Sequence, residues 1–338
     1  MQQQDKHVLT AVTALVSAAA VMAYVVSRKK QGCRQAPGGK RPLTDLVRPN
    51  IQDLTPYRCA RDDYSDGVLL DANENSYGST LAPGKGSVDV EELELNRYPD
   101  PKQLEVKSLL ADMRGVRPEQ IFVGVGSDEA IDLLIRIFCQ PGEDTIIVTP
   151  PTYGMYKVCA KVNDVQIQTV PLTPDFDVVV SEVLRAATPS SKLLFLCSPG
   201  NPTGKSVPAS VVRDIVKGGF DGIVVVDEAY VDFSGKESAC SLIDELDRVV
   251  VLQTLSKAFG MAAIRMGFAY ANERIIQYMN NVKAPYNVNR LSQAGGRQGP
   301  QRPHALRGAG RHDPRGASTT AGGTAGPQLR EGGEGVGR

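Results

Sequence analysis

The chain has 338 residues, 41% hydrophobic and 22% charged, enough to bury a sizeable core in one large domain with a smaller one beside it. Lys+Arg and Asp+Glu balance at 38 each, so the whole chain carries no signature of a polyanion partner, and nucleic acid is not expected. Six scattered cysteines (Cys33, Cys59, Cys139, Cys159, Cys197, Cys240) make neither a CxxC pair nor a Cys/His cluster at zinc spacing, and read as reduced packing thiols.

Val8–Val26 is an apolar run of about nineteen residues, just long enough to span a bilayer. Lys6 precedes it and Arg28-Lys29-Lys30 follow, a basic flank that favours holding the downstream region on the cytosolic side. Thr10, Thr13, Ser17 and an alanine cluster weaken its hydrophobicity, so a cleaved or organelle-targeting leader competes with a membrane anchor. A charged Gly/Pro linker, Gln31–Pro42, argues against a buried helix. Leu43–Tyr57 mixes proline with apolar residues as an ordered arm does. Gly67–Leu70 is expected to be a strand that runs into the polar loop Asp71–Gly78, where Asn73 and Asn75 either present amides to a substrate or simply turn the chain.

Leu104–Gly115 has helical spacing and a glycine stop. Ile121–Val125 is a β-branched strand, followed by Gly126-Ser127-Asp128-Glu129 and an apolar helix, Ala130–Cys139. Strand, glycine turn, Ser/Asp cap and helix aim backbone N–H groups and a helix dipole at an anion, although an ordinary helix cap reads the same way. Thr145–Val148 is a further buried strand, leading to the rigid turn Pro150-Pro151-Thr152-Tyr153-Gly154, whose tyrosine either stacks on a planar ligand or fills core. Val165–Val170, the helix Val178–Ala187 and the strand Lys192–Cys197 continue the alternation. Two prolines and two glycines then fix the turn Ser198–Gly204 and free the Asn201 side chain. Ile223–Val226 is a strand ending at Asp227-Glu228-Ala229-Tyr230, where a carboxylate at the sheet edge is costly unless paired.

The last strand of the series opens Val249–Gly260 (VVVLQTLSKAFG) and puts Lys257 just past its end, where open α/β sheets place their ligands. Alone, Lys257 is a loop lysine in water as readily as an amine nucleophile. Strands alternating with helices from about residue 104 to 285 predict an α/β, three-layer αβα domain with a mostly parallel sheet. Asn201, Asp227 and Lys257 each follow a separate strand and so converge on one edge. A Schiff-base lysine beside a carboxylate, an amide, tyrosines and an anion cradle is the set that pyridoxal 5'-phosphate requires. Asp227 and Lys257 would serve the ring nitrogen and the aldehyde. Asn201 and Tyr230 would meet the phenolic oxygen, and Tyr153 a ring face. Gly126, Ser127, Asp128, Ser256 and Arg265 would hold the phosphate.

In order and in combination, YPDP (Tyr98–Pro101), GSDE (Gly126–Glu129), PPTYGMY (Pro150–Tyr156), SPGNPTG (Ser198–Gly204), VVDEAY (Val225–Tyr230) and TLSKAFGMAAIRMGF (Thr254–Phe268) resemble the fold-type-I pyridoxal-phosphate aminotransferases. With VRPNIQDLTPY, LLDANENSYG and KAPYNVN, the resemblance over about residues 45 to 293 is closest to the histidinol-phosphate aminotransferases. It implies that Lys257 carries the cofactor and moves a proton at the substrate's Cα, with Asp227 and Tyr230 the other catalytic side chains. It implies Tyr98 as a reach to the neighbouring subunit's phosphate site in a homodimer, while Asn73 and Asn75 are substrate candidates from their polar loop. The implied substrates are L-glutamate/2-oxoglutarate and imidazole-acetol phosphate/L-histidinol phosphate, in histidine biosynthesis. An aromatic aminotransferase, a threonine-phosphate decarboxylase and an inactive membrane-tethered homologue are the competing readings.

The expected division is an anchor or plastid-type leader over 1–30, a linker over 31–44, an arm with part of a small domain over 45–90 and a cofactor-binding large domain over 91–293. A Gly/Arg/Pro-rich tail occupies 294–338. The composition changes abruptly past Gln293, in mid-helix. A shifted reading frame accounts for that better than a basic disordered tail meeting RNA or acidic partners. The substrate-gripping arginines of the family would lie in the part that does not match.

Overall fold

A computed structural model of the chain describes residues 43–52, 54–55, 60–63, 70–76, 78–79 and 93–299. The apolar run at 8–26, the strand expected at 67–69 and the tail from 300 onward lie outside these residues. Among the described residues no helix is long and apolar enough to cross a membrane. Two compact units are distinguished, the break falling after Thr55. In the first, a 3₁₀ turn at Leu43–Leu46 and a helical turn at Pro49–Gln52 are tied by the Gln52 side-chain amide, which donates to the carbonyls of Thr44 (2.7 Å) and Val47 (3.2 Å).

The second unit is built on a seven-stranded sheet in the order β1-β7-β6-β5-β4-β2-β3. Its strands are β1 (Ile121–Gly124), β2 (Thr145–Val148), β3 (Gln166–Thr169), β4 (Ser191–Cys197), β5 (Ile223–Asp227), β6 (Val249–Thr254) and β7 (Gly267–Ala271). All pairings are parallel except those of β7, which runs antiparallel to both β1 and β6. Its helices of more than one turn are α1 (Leu104–Arg114), α2 (Gly126–Phe138), α3 (Met155–Val162), α4 (Val180–Ala186), α5 (Ala209–Lys217), α6 (Glu273–Val282) and α7 (Arg290–Gln298).

Residue alternation assigns the two faces of the sheet, because successive strand side chains point to opposite sides. Leu194, Leu196, Val224, Val226, Val249 and Val251 lie on one face with Val106 and Leu110 of α1, Val183 of α4 and Val212 and Ile215 of α5. Leu193, Phe195, Val225, Val250 and Leu252 lie on the other, with Ile131, Leu134 and Ile135 of α2, Tyr156 and Cys159 of α3 and Ile275, Ile276 and Met279 of α6. Both faces are apolar, so the central strands read as continuous hydrophobic runs, as buried parallel strands do. Cys139, Cys159, Cys197 and Cys240 are buried free thiols within this structure.

The mostly parallel αβα architecture is as expected, with four departures. Helix α2 starts at Gly126, not Ala130, because the left-handed Gly126 (φ 74°) turns straight out of β1 into it. Asp227 belongs to β5 itself, pairing with Cys197 of β4 and Leu252 of β6. Strand β7 was hidden in a motif read for its lysine and arginine. Helix α7 continues past Gln293 to Gln298, with Ala294, Gly295 and Gly296 buried. The glycines favour this: a Cβ at Gly296 would meet the Met266 sulfur at 2.4 Å and the buried thioether would have to shift to admit it.

Candidate active site

Strands β4, β5 and β6 are adjacent and parallel, so their carboxyl ends deliver Cys197, Asp227 and Thr254 to one rim. Strand β1 ends there too, at Gly124, and β7 begins there, at Gly267 opposite both Gly124 and Thr254. A cleft of about 190 Å³ opens on this rim. Of the residues expected to form a site, Asn73, Ser127, Asp128, Tyr153, Asn201, Asp227, Tyr230, Ser256, Lys257 and Arg265 line it.

Asp227 is 3% exposed. Tyr156 donates to its Oδ2 at 2.6 Å, and the Ala229 amide donates to its Oδ1 at 3.2 Å. Burial pushes this carboxyl up to about 6, while those two hydrogen bonds and Lys257 pull it down and Asp128 adds to the rise. Lys257 follows β6 by three residues. Its Nζ donates to the Ala72 carbonyl at 2.5 Å and lies 5.7 Å from the centre of the Tyr230 ring. Burial lowers its pKa, against the attraction of Asp128 and Glu74.

Tyr230 sits at the end of the β5 turn. Its phenol oxygen accepts from the side-chain amides of Asn201 (3.3 Å) and Asn73 (3.1 Å), and burial raises its pKa. The Asn201 side chain is free for this because other groups close its turn: Gly200 donates to the Lys205 carbonyl, Gly204 to the Gly200 carbonyl, and the Asn201 N–H to the Cys197 sulfur.

The opposite end of the cleft is cationic and rich in donors. Helix α2 begins at Gly126-Ser127, and Arg265 stands beside it, with Nη1 3.4 Å from Ser256 Oγ and Nη2 3.5 Å from an Asp128 oxygen. Arg265 adopts a left-handed backbone (φ 49°, ψ 60°), a conformation that costs an L-residue about 1 kcal/mol or more and is kept where the surroundings enforce it. Its carbonyl accepts from the Gly126 N–H at 3.1 Å, which locks this turn to the helix start. Ser256 Oγ accepts from Thr254 Oγ1 at 3.0 Å. The Tyr153 hydroxyl donates to Asp128 at 3.1 Å.

Gly126 heads α2 beside the lining without being part of it, and two predicted residues stand elsewhere. Asn75 turns its amide to the Ala258 carbonyl at 3.0 Å, fastening the 70–76 loop to the lysine turn and not lining the cleft. Tyr98 is 75% exposed, outside the cleft, and stacks on Tyr286 with ring centres 4.4 Å apart. The structure also brings in Tyr156, Cys197, Thr254 and the Ala72 carbonyl, which sequence reasoning did not assign. For Tyr156 a signal existed: it lies in the same PPTYGMY turn-to-helix segment as Tyr153, at the first turn of α3.

The family "Aminotransferase class I and II" matches residues 65–301. Histidinol-phosphate aminotransferase of Cytophaga hutchinsonii is 49% identical over 253 residues, covering 74% of this chain and 70% of the relative. That of Schizosaccharomyces pombe is 49% identical over 259 residues, 73% of this chain and 66% of its own length. The solved histidinol-phosphate aminotransferase of Sinorhizobium meliloti, in complex with pyridoxal-5'-phosphate, has the same fold at a TM-score of 0.64 and 21% identity, covering 71% of this chain and 65% of that one. The chain thus spans roughly two thirds of the length of the relatives it matches. By sequence and by fold it belongs to the class I and II aminotransferases and, within them, to the histidinol-phosphate aminotransferases.

Proposed function

We propose that the chain transfers an amino group between L-histidinol phosphate and 2-oxoglutarate, giving imidazole-acetol phosphate and L-glutamate, with pyridoxal 5'-phosphate held in the cleft at the sheet edge. The observation that carries this reading is the spacing of Lys257, Asp227, Tyr230 with Asn201, and the Ser127–Ser256–Arg265 cradle around one cavity.

The residues fit that cofactor on two counts. Among the described residues Asp227 accepts from neutral groups, so a cationic ring N–H is the partner that its buried charge calls for. Gly126 keeps the cradle open, since a Cβ there would meet Arg265 Nη2 at 2.7 Å. Ser127 and Ser256 hydroxyls, the first amides of α2 and the Arg265 guanidinium are the donors a phosphate needs.

When bound, the cofactor supplies an electron sink for charge left on the substrate's Cα. Asp227 would keep the ring nitrogen protonated. Lys257, its pKa lowered by burial, would take the Cα proton on Nζ and return it. Tyr230 would donate its own proton into the cleft, since its oxygen already accepts two amides. Tyr153 would cover one ring face. Tyr98, exposed and not part of its own cleft's lining, supports a homodimer in which it reaches the neighbouring cradle.

The test is a coupled glutamate assay on the purified full-length chain, comparing imidazole-acetol phosphate with aromatic 2-oxo acids, and borohydride labelling with peptide mapping. Labelling on Lys257 and a preference for imidazole-acetol phosphate are expected. No label on Lys257 in cofactor-loaded protein would overturn the cofactor assignment. Preference for an aromatic acceptor, or carbon dioxide release from threonine phosphate, would overturn the substrate assignment.

A further inference from the structure

Asp227 has a neighbour on the side away from the cleft. Tyr156 is fully buried, its ring stacked on Phe195 (centres 4.6 Å apart, 17° between planes) and meeting Tyr153 edge-on at 5.6 Å. Packed between two aromatics, the phenol cannot swing away, and its hydroxyl lies 2.6 Å from Asp227 Oδ2. Burial raises the phenol's pKa well above its ordinary value, so it stays a neutral donor. A neutral phenol has one proton to give. Given to Asp227, it satisfies one lone pair of a carboxylate and leaves others for the cleft.

We propose that Tyr156 is the positioning residue of this site, fixing the Asp227 carboxylate as an acceptor aimed at the cleft. The proposal rests on the reading of the cleft as a pyridoxal-phosphate site. The groups facing Asp227 are Tyr156 on α3, Cys197 at the end of β4, Tyr230 after β5, Lys257 after β6 and Asp128 on α2. Lys257 and Asp128 bear opposite charges and offset one another. Cys197, pushed up to about 12 by burial, is an un-ionised thiol and leaves Tyr156 as the strongest donor. The arrangement also divides labour between two tyrosines three residues apart: Tyr153, ahead of α3, lines the cleft and Tyr156, in its first turn, holds the carboxylate.

The test is Tyr156→Phe in the full chain, which keeps the stacked ring and removes only the hydroxyl. In the protein without cofactor, the ¹³C signal of the Asp227 carboxyl should titrate at higher pH than in the parent. With ¹⁵N-labelled pyridoxal phosphate bound, the ring-nitrogen signal should move toward the unprotonated position. Turnover should fall about tenfold at unchanged KM, the effect of losing one hydrogen bond to a charged group. p-Aminophenylalanine at position 156, which restores a donor, should recover most of each change. Should the Phe variant not fold, the parent alone decides: a deuterium isotope shift on the Asp227 carboxyl carbon from the Tyr156 hydroxyl, resolved from that of the Ala229 amide, is expected if the phenol donates. Unchanged carboxyl titration in Tyr156→Phe, or no isotope shift in the parent, overturns the proposal. The carboxyl measurements use no cofactor, so a failure of the cofactor reading would show separately as absent binding.

Discussion

The side-chain amide of Asn73 donates to the phenol oxygen of Tyr230 at 3.1 Å, binding a loop from early in the chain to the end of β5. Asn201 reaches the same oxygen at 3.3 Å from the turn after β4. With both amides in place, the phenol proton has to go elsewhere, into the cleft. Asn73→Ala removes one of the two and is expected to lower turnover about threefold, the low end for a hydrogen bond because Asn73 is exposed. Asn201→Ala should cost more, since that side chain is half-buried. Steady-state kinetics of the two variants side by side check the ranking.

Asp227 makes the protein without cofactor sensitive to pH. Its carboxyl titrates at about 6 in the folded state and near 4 when unfolded, burial being the chief cause. Between those values the native state holds a proton that the unfolded chain has released. Stability from this group therefore falls as pH rises from 4 to 6 and is flat above, by roughly 3 kcal/mol in all. Asp227→Asn removes that slope. It is expected to stabilise the cofactor-free protein at pH 8 relative to the parent while lowering transaminase turnover by about 10²–10³-fold. Urea unfolding at pH 4.5 and 8, with and without the substitution, gives the difference directly.

Gly267 tolerates no side chain. A Cβ built there would lie 2.2 Å from both the Gly126 carbonyl carbon and the Ser127 nitrogen, and backbone cannot step aside. Gly267→Ala is expected to destabilise by about 3 kcal/mol, the upper end for overpacking, and to weaken cofactor affinity by displacing the α2 start. Gly154→Ala is the control: its φ is −68° and nothing stands within 4 Å of the added methyl. It should unfold at the parent's denaturant midpoint.

Behind the rim, Arg114 donates to both oxygens of Asp232 at 2.8 Å and to Gln253 at 2.8 Å, and Gln253 in turn donates to the buried Glu228 at 2.8 Å. Glu228 also accepts from the Ser238 hydroxyl and the Ala239 amide. Removing the guanidinium strands a partly buried carboxylate next to the turn that carries Tyr230. Arg114→Ala is expected to cost about 3–5 kcal/mol in urea unfolding, and restoring neutrality with Asp232→Asn in the same chain should recover part of it.

Part of this site is legible in the sequence because Asp227 and Lys257 stand at or just past strands whose β-branched runs announce them. Asp227 after Val226 and Lys257 three residues past Thr254 are fixed by strand ends alone. Tyr156 was not legible as a partner of Asp227: 71 positions separate them, and only the β2–β4–β5 order brings α3 over β5. Strand β7 escaped for a different reason. Gly267–Ala271 begins with glycine and contains two alanines, so it lacks the β-branched signature and is held by its neighbours on both sides. The Ala72 carbonyl on Lys257 could not be inferred from residue type at all, because any residue carries a carbonyl.

The reversed direction of β7 has a bearing on how the anion end of the cleft is assembled. A strand running with its neighbours would have entered the sheet from the far side and met the rim only after crossing it. Running the other way, β7 starts at the rim, so the turn that feeds it passes the mouth of the cleft and leaves Arg265 there on its way in. One stretch of four residues, Ile264–Gly267, thereby hands over the guanidinium, ties its carbonyl to the head of α2 and seats its glycine against that same helix. A single inserted residue in this stretch would pull all three apart together, so its length is fixed by three contacts at once.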